Sequence, residues 1–113
     1  MDAEPDLLLA ALDELVATGR ENIASWMGIM ERVDEIRELR RQGVDYADMP
    51  PPAGTPIIEA ISASQERLGV AAARFRRVAV RELRAQGMSA AAIARAFGVS
   101  RQRVASLLTE LND

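Results

Sequence analysis

Two constellations in this 113-residue chain hold side chains suited to chemistry. The first is Glu31-x-x-Asp34-Glu35-x-x-Glu38, four carboxylates at helical spacing, which would hold Mg²⁺ if they were buried between helices. Arg37 and Arg41 follow Asp34 and Glu38 by three residues, which is the ordinary pattern of a solvated helix face. The second is Ser100-Arg101-Gln102-Arg103. A guanidinium is a rigid fork of donors that fits two adjacent acceptors, and a carboxamide donates and accepts side by side. These are groups for recognition. Groups for bond-breaking are scarce, because the chain has no cysteine and no histidine. That excludes disulfides, thiolate or imidazole zinc sites, Cys/His nucleophiles and histidine general bases. No glycine-rich phosphate loop is present either. The expectation is a protein that is not an enzyme and uses no cofactor and no metal.

The elements that position these groups are helical. Hydrophobic residues make up 49% of the chain, yet only four are aromatic, and alanine is abundant, a composition that suits close-packed helices better than a β-sandwich. From residue 6 to 42 there is no proline, and Leu12, Val16, Gly19, Ile23, Trp26, Met30 and Val33 recur in steps of four and three, a heptad-like stripe. Ile29, Ile36 and Leu39 add a second apolar row. Thr18 with Glu21 has the form of a capping box, so this stretch reads as one bent helix or as two split near Gly19. Pro50-Pro51-Pro52 cannot continue a helix and marks a linker over 50–55. Thr55-Pro56 then reads as an N-cap with proline at the first helical position. The stripe that follows is Ile58, Ile61, Gln65, Leu68, Ala72, Phe75 and Ala79. It belongs to a connecting helix over 56–86 of roughly 45 Å, long enough to require packing on the N-terminal helix as an antiparallel hairpin or on a second subunit.

A short internal repeat joins the two halves. Residues 36–49 align without gaps on residues 80–93 with seven of 14 positions identical, and both copies read as helix, glycine stop, N-cap (Asp45 or Ser89), new helix. Either a duplicated motif or two uses of a common helix-ending phrase accounts for it.

Charge is divided along the chain. Residues 1–66 carry 14 acidic side chains and five arginines, a net −9, whereas residues 67–113 carry nine arginines and three acids, a net +6. All 14 basic residues are arginine. This asymmetry predicts a polyanion partner for the C-terminal part and a different task for the acidic region 1–49.

The stretch from Gly87 to Leu108 is the most informative. Ser89 can cap a helix through Phe97, Gly98 can make the tight turn, and Ser100 can cap a second helix from Arg101 to about Leu111. Ile93, Ala94, Phe97, Val99, Val104 and Leu107 fall where two short, steeply crossed helices must touch. The phrase Ile-Ala-x-x-Phe-Gly-Val-Ser-x-x-x-Val resembles the bacterial helix-turn-helix found in the last region of sigma factors and in resolvase or invertase DNA-binding domains. The whole chain is similar to small helix-turn-helix proteins of high-GC, actinobacterial-type bacteria. The likeness implies an all-α fold, with an N-terminal helical hairpin or coiled-coil-like region joined by the long helix to a three-helix DNA-binding region over 74–113. It implies that Ser100, Arg101, Gln102, Ser106 and Thr109 face base edges in the major groove of double-stranded DNA. Ser89, Arg81, Arg84, Arg95 and Arg103 are then placed for phosphates. Arg74, Arg76 and Arg77 lie further away and are equally a solvated face.

A single motif reads few base pairs, so the expected form is a homodimer, with Leu12, Val16, Ile23, Trp26, Met30, Ile61, Leu68 and Phe75 at its interface. The expected function is sequence-specific transcriptional regulation. An adaptor that binds RNA polymerase, a sigma factor or another regulator through the acidic helices is the alternative, and folding of the acidic half onto the basic half is a third arrangement. The N-terminus is acidic where a secretory signal is positive, and no uncharged run approaches a membrane span, so a cytoplasmic, nucleoid-associated location is expected.

Overall fold

The structure is a computed structural model that describes residues 5–49 and 55–110. Among the described residues it is all-α, as the composition predicts. Helix α1 spans Leu7–Arg41, a single 3₁₀ turn spans Tyr46–Asp48, α2 spans Thr55–Ala85, α3 spans Ala90–Phe97 and α4 spans Arg101–Thr109. None of these helices is long and apolar enough to cross a membrane. The proline run of the linker lies outside the described residues.

Asp6 starts α1 by accepting the Leu9 amide on Oδ1 at 2.9 Å. The helix then runs unbroken through Thr18-Gly19-Arg20-Glu21, so the capping-box pattern there does not split it. A glycine inside a helix costs only about 1 kcal/mol relative to alanine, which the turns on either side outweigh. Thr55 is the first residue of α2 and not the residue before it.

The two copies of the internal repeat end their helices in the same way. Gly43 and Gly87 both take positive φ, 92° and 99°. The amide of each donates to the carbonyl three residues back, Arg40 and Arg84, and the next amide, Val44 or Met88, donates to Leu39 or Leu83 at 3.1 and 3.0 Å. This paired C-terminal geometry is the glycine-stop arrangement. The copies then diverge: Ser89 caps α3 through its hydroxyl, whereas Asp45 makes no side-chain cap and only one 3₁₀ turn follows.

The chain divides into two compact units, Met1–Val16 with Val70–Asp113, and Ala17–Gly69. In the second unit α1 and α2 run antiparallel. Asn22 donates through Nδ2 to the Ser64 carbonyl at 3.1 Å, the Ser25 and Ser64 hydroxyls lie 3.4 Å apart, and Arg67 donates to Asn22 Oδ1 at 3.2 Å. Arg67 also pairs with Glu21 at 3.5 Å. The covered row on α1 is Thr18, Asn22, Ser25, Ile29, Arg32, Ile36 and Leu39, and on α2 it is Ile57, Ala60, Ser64 and Arg67. Both are heptad rows, and both lie one residue out of phase with the more apolar stripes that the sequence nominates. Ile29, Ile36 and Leu39 of the second apolar row face inward, while Ile23, Trp26, Met30, Ile58 and Leu68 stay exposed. Small and hydrogen-bonding side chains win the seam because they let two backbones come close enough for an asparagine on one helix to reach a carbonyl of the other.

The first unit holds the main core. Val80, Ile93, Ala94, Val104 and Leu107 form one buried cluster, with Leu83, Met88, Ala90, Phe97, Val99 and Leu108 packed against it. All six of the residues expected at the crossing of the two short helices are therefore in or against this core.

The carboxylate run of α1 is exposed. Arg37 pairs with Asp34 at 3.4 Å, Arg41 with Glu38 at 3.2 Å and Arg32 with Glu35 at 2.8 Å. Such i, i+3 pairs describe a solvated helix face.

Candidate nucleic-acid interface

The end of α2, α3 and α4 make a three-helix arrangement whose short helices are set by local capping. Ser89 Oγ accepts the Ala92 amide at 3.1 Å, and Ser100 Oγ accepts the Arg103 amide at 3.0 Å. Both serines have extended backbone, which turns the hydroxyl back over the first helical turn. Between them Gly98 adopts the left-handed conformation, φ 65° and ψ 32°, and the Val99 amide donates to the Ala94 carbonyl at 3.0 Å. A residue with a side chain would pay for that φ even where space is open, as it is here. The turn therefore rests on Gly98, and α4 leaves it at an angle that buries Val104 and Leu107.

With Val104 and Leu107 turned inward, helical geometry turns Arg101, Gln102, Ser106 and Thr109 outward, and all four are exposed. Two hydroxyls of the expected reading set are engaged. Ser100 is the cap of α4, and Thr109 donates through Oγ1 to the Ser106 carbonyl at 2.9 Å. Arg101 and Gln102 carry the long, planar groups of the surface. Because Ser100 holds the first turn, Ser100→Ala is expected to lower thermal stability by about 1 kcal/mol, the usual loss for a serine cap, measured by calorimetry. A midpoint unchanged against wild type would show that the cap is idle.

The arginines expected at phosphates surround the same helices. Arg84, Arg95 and Arg103 are exposed, Arg81 is half-buried, and Arg84 donates to the Met88 carbonyl at 3.4 Å. Ser89 is exposed but committed to capping α3. Arg74 and Arg77 are not the solvated face offered as one of their readings. Arg74 pairs with Glu14 at 3.6 Å, and Arg77 lies 3.8 Å from Glu110. The other oxygen of Glu110 lies 3.8 Å from Arg103. Glu110, just past the end of α4, thus stands between two arginines, a role with no local sequence signal because one partner is 33 residues away.

Phe75, expected at a subunit interface, is half-buried and stacks on Phe97 of its own chain, with centroids 6.4 Å apart and rings inclined by 29°. Its place on α2 lies over the helix-turn-helix, and the pairing covers part of its apolar surface. Ile61 is half-buried as well, whereas Leu12, Val16, Ile23, Trp26, Met30 and Leu68 are exposed.

The region with this geometry has a counterpart among known families. A family model described as the helix-turn-helix domain of resolvase matches residues 78–104, from within α2 to the buried Val104 of α4. The chain therefore carries a resolvase-type helix-turn-helix, a DNA-binding motif, over about a quarter of its length. No curated protein and no solved structure matches the chain.

Proposed function

We propose that the protein is a sequence-specific DNA-binding transcriptional regulator that acts as a homodimer in the nucleoid, by binding and without catalysis. The observation that carries this reading is the exposed Arg101-Gln102 pair on the first turn of α4, beside the Ser100 cap. In a helix-turn-helix this is the end of the recognition helix that meets base edges. A guanidinium there fits O6 and N7 of guanine, and a carboxamide fits N6 and N7 of adenine. Arg84, Arg95 and Arg103 supply sequence-independent attraction to phosphates around that contact. The exposed carboxylates of α1, in the Ala17–Gly69 unit, offer a surface to a protein of the transcription machinery.

The test is fluorescence anisotropy on a duplex selected from a random pool and on a scrambled duplex, at two salt concentrations. Arg101→Ala is expected to remove about 1–3 kcal/mol of the preference for the selected duplex while leaving scrambled binding nearly unchanged. Equal, salt-erased binding to both duplexes, indifferent to Arg101, would overturn sequence-specific reading and favour the adaptor.

A further inference from the structure

We infer that the Ala17–Gly69 unit is half of a four-helix assembly, closed by a second copy of the same chain on one defined face of its α1–α2 pair. This deepens the homodimer in the reading above, and it rests on that reading only for the reason two motifs are needed.

The first ground is what the unit lacks. Among its described residues, only Ile29, Met49 and Ser64 are buried, one of the three being polar. Beside the few apolar residues of the covered rows, the seam between its helices holds Asn22, Ser25, Ser64 and Arg67, joined by hydrogen bonds that specify register and contribute little net stability. A two-helix unit with so small an apolar core is below what a chain of this size needs to hold a fold unaided.

The second ground is where the missing apolar side chains are. Ile23, Trp26, Met30 and Val33 each follow a covered residue of α1 by one position, and Ile58 and Leu68 do so on α2. One position is a rotation of about 100°. Because the two helices run antiparallel, the same rotation taken along each chain brings both stripes to the same side of the pair. The result is one continuous face, 64% exposed at Ile23, 54% at Met30, 65% at Ile58 and 50% at Leu68, with no charged residue on either stripe between Ile23 and Val33 or between Ile58 and Leu68.

The third ground is its size. The six side chains leave on the order of 600 Å² bare, the upper end of what a monomer exposes in one patch. Two such faces together reach roughly 1,200 Å², where specific stable interfaces begin. A second copy is the partner that always accompanies the chain, and an isologous contact of a face with itself closes after two subunits. Antiparallel pairs joined over apolar faces make a four-helix bundle.

The full chain is to be studied by sedimentation equilibrium together with Trp26 emission over a dilution series. Trp26 is the single tryptophan and lies on the face. The expected result is twice the 12.3 kDa chain mass at micromolar concentration. On dilution, Trp26 emission is expected to move to longer wavelength in step with the fall in mass, with no substitution needed. Ile23→Asp and Leu68→Asp are each expected to weaken self-association by about 30-fold or more, as loss of an interface hot spot does. Ala24→Asp, exposed on the flank of α1 opposite the stripe of Ile23, Trp26, Met30 and Val33, is expected to leave it unchanged. A wild-type monomer at tens of micromolar overturns the inference. So does a dimer whose Trp26 emission ignores dilution, or one that Ala24→Asp weakens as much as Ile23→Asp. Binding of Ile23→Asp to a single half-site and its dependence on Arg101, measured in parallel, report on DNA reading independently of assembly.

Discussion

Ile93→Asp is expected to abolish cooperative unfolding of the helix-turn-helix unit and with it all preference among DNA sequences. Ile93 is fully buried at the centre of the cluster with Val80, Ala94, Val104 and Leu107, and it joins α3 to α2 and α4. Removing the side chain forfeits about 2–5 kcal/mol of transfer and cavity terms. A carboxylate in its place faces only apolar neighbours, and an uncompensated buried charge costs a further ~3–5 kcal/mol. Against a domain stability of about 5–15 kcal/mol, the combined loss is enough to unfold the unit. Circular dichroism should show loss of helix, amide hydrogen exchange should place that loss in the region 70–110, and anisotropy should show no discrimination between duplexes. Ile93→Val serves as the control, with a loss of about 0.5–1.5 kcal/mol and DNA preference retained. A folded, sequence-reading Ile93→Asp variant would mean that Ile93 does not occupy the core.

The second large effect is at Phe97. Phe97→Ala is expected to cost about 3 kcal/mol, since it removes both a flank of the core and the ring on which Phe75 stacks. Phe75→Ala should cost less, and the double variant should lose less than the two single losses added. The difference, about 0.5–1.5 kcal/mol, measures the aromatic pair. Sedimentation of Phe75→Ala should match wild type, because Phe75 serves its own chain. A shift to monomer with unchanged stability would return Phe75 to a subunit interface.

The helix-turn-helix was legible because its determinants are local. Ser89 and Ser100 cap the helices that begin one residue later, Gly98 satisfies a backbone angle three residues before Arg101, and Ile93, Val104 and Leu107 meet across a span of 15 residues. Short-range hydrogen bonds and a left-handed φ leave signatures in residue type at fixed spacing. The helix stops at Gly43 and Gly87 were legible for the same reason.

The phase of the long helices was not. Periodicity along α1 and α2 picks out Ile23, Trp26, Met30 and Leu68 for a subunit interface and leaves the seam of the hairpin unassigned; the structure fills that seam with the neighbouring row, Asn22, Ser25 and Ser64 among it. Periodicity reports that an apolar stripe exists, but not which neighbour covers it. With a hairpin partner and a second surface competing for the same helix, closeness of approach and cross-helix hydrogen bonds decide, and those are properties of pairs of residues some 40 positions apart. Glu110 beside Arg77 and Arg103 was hidden likewise.

The amino-acid sequence by itself thus determined the helical class, the capped helix-turn-helix and the residues on its outward surface, because each depends on contacts within a turn or two of chain. Only the tertiary structure decided which stripe of each long helix faces its partner, that Phe75 stacks on Phe97, and where the arginines outside the motif place their charge. Those outcomes depend on distant residues meeting in space, where packing geometry and pairing energy outweigh the average hydrophobicity of a stripe.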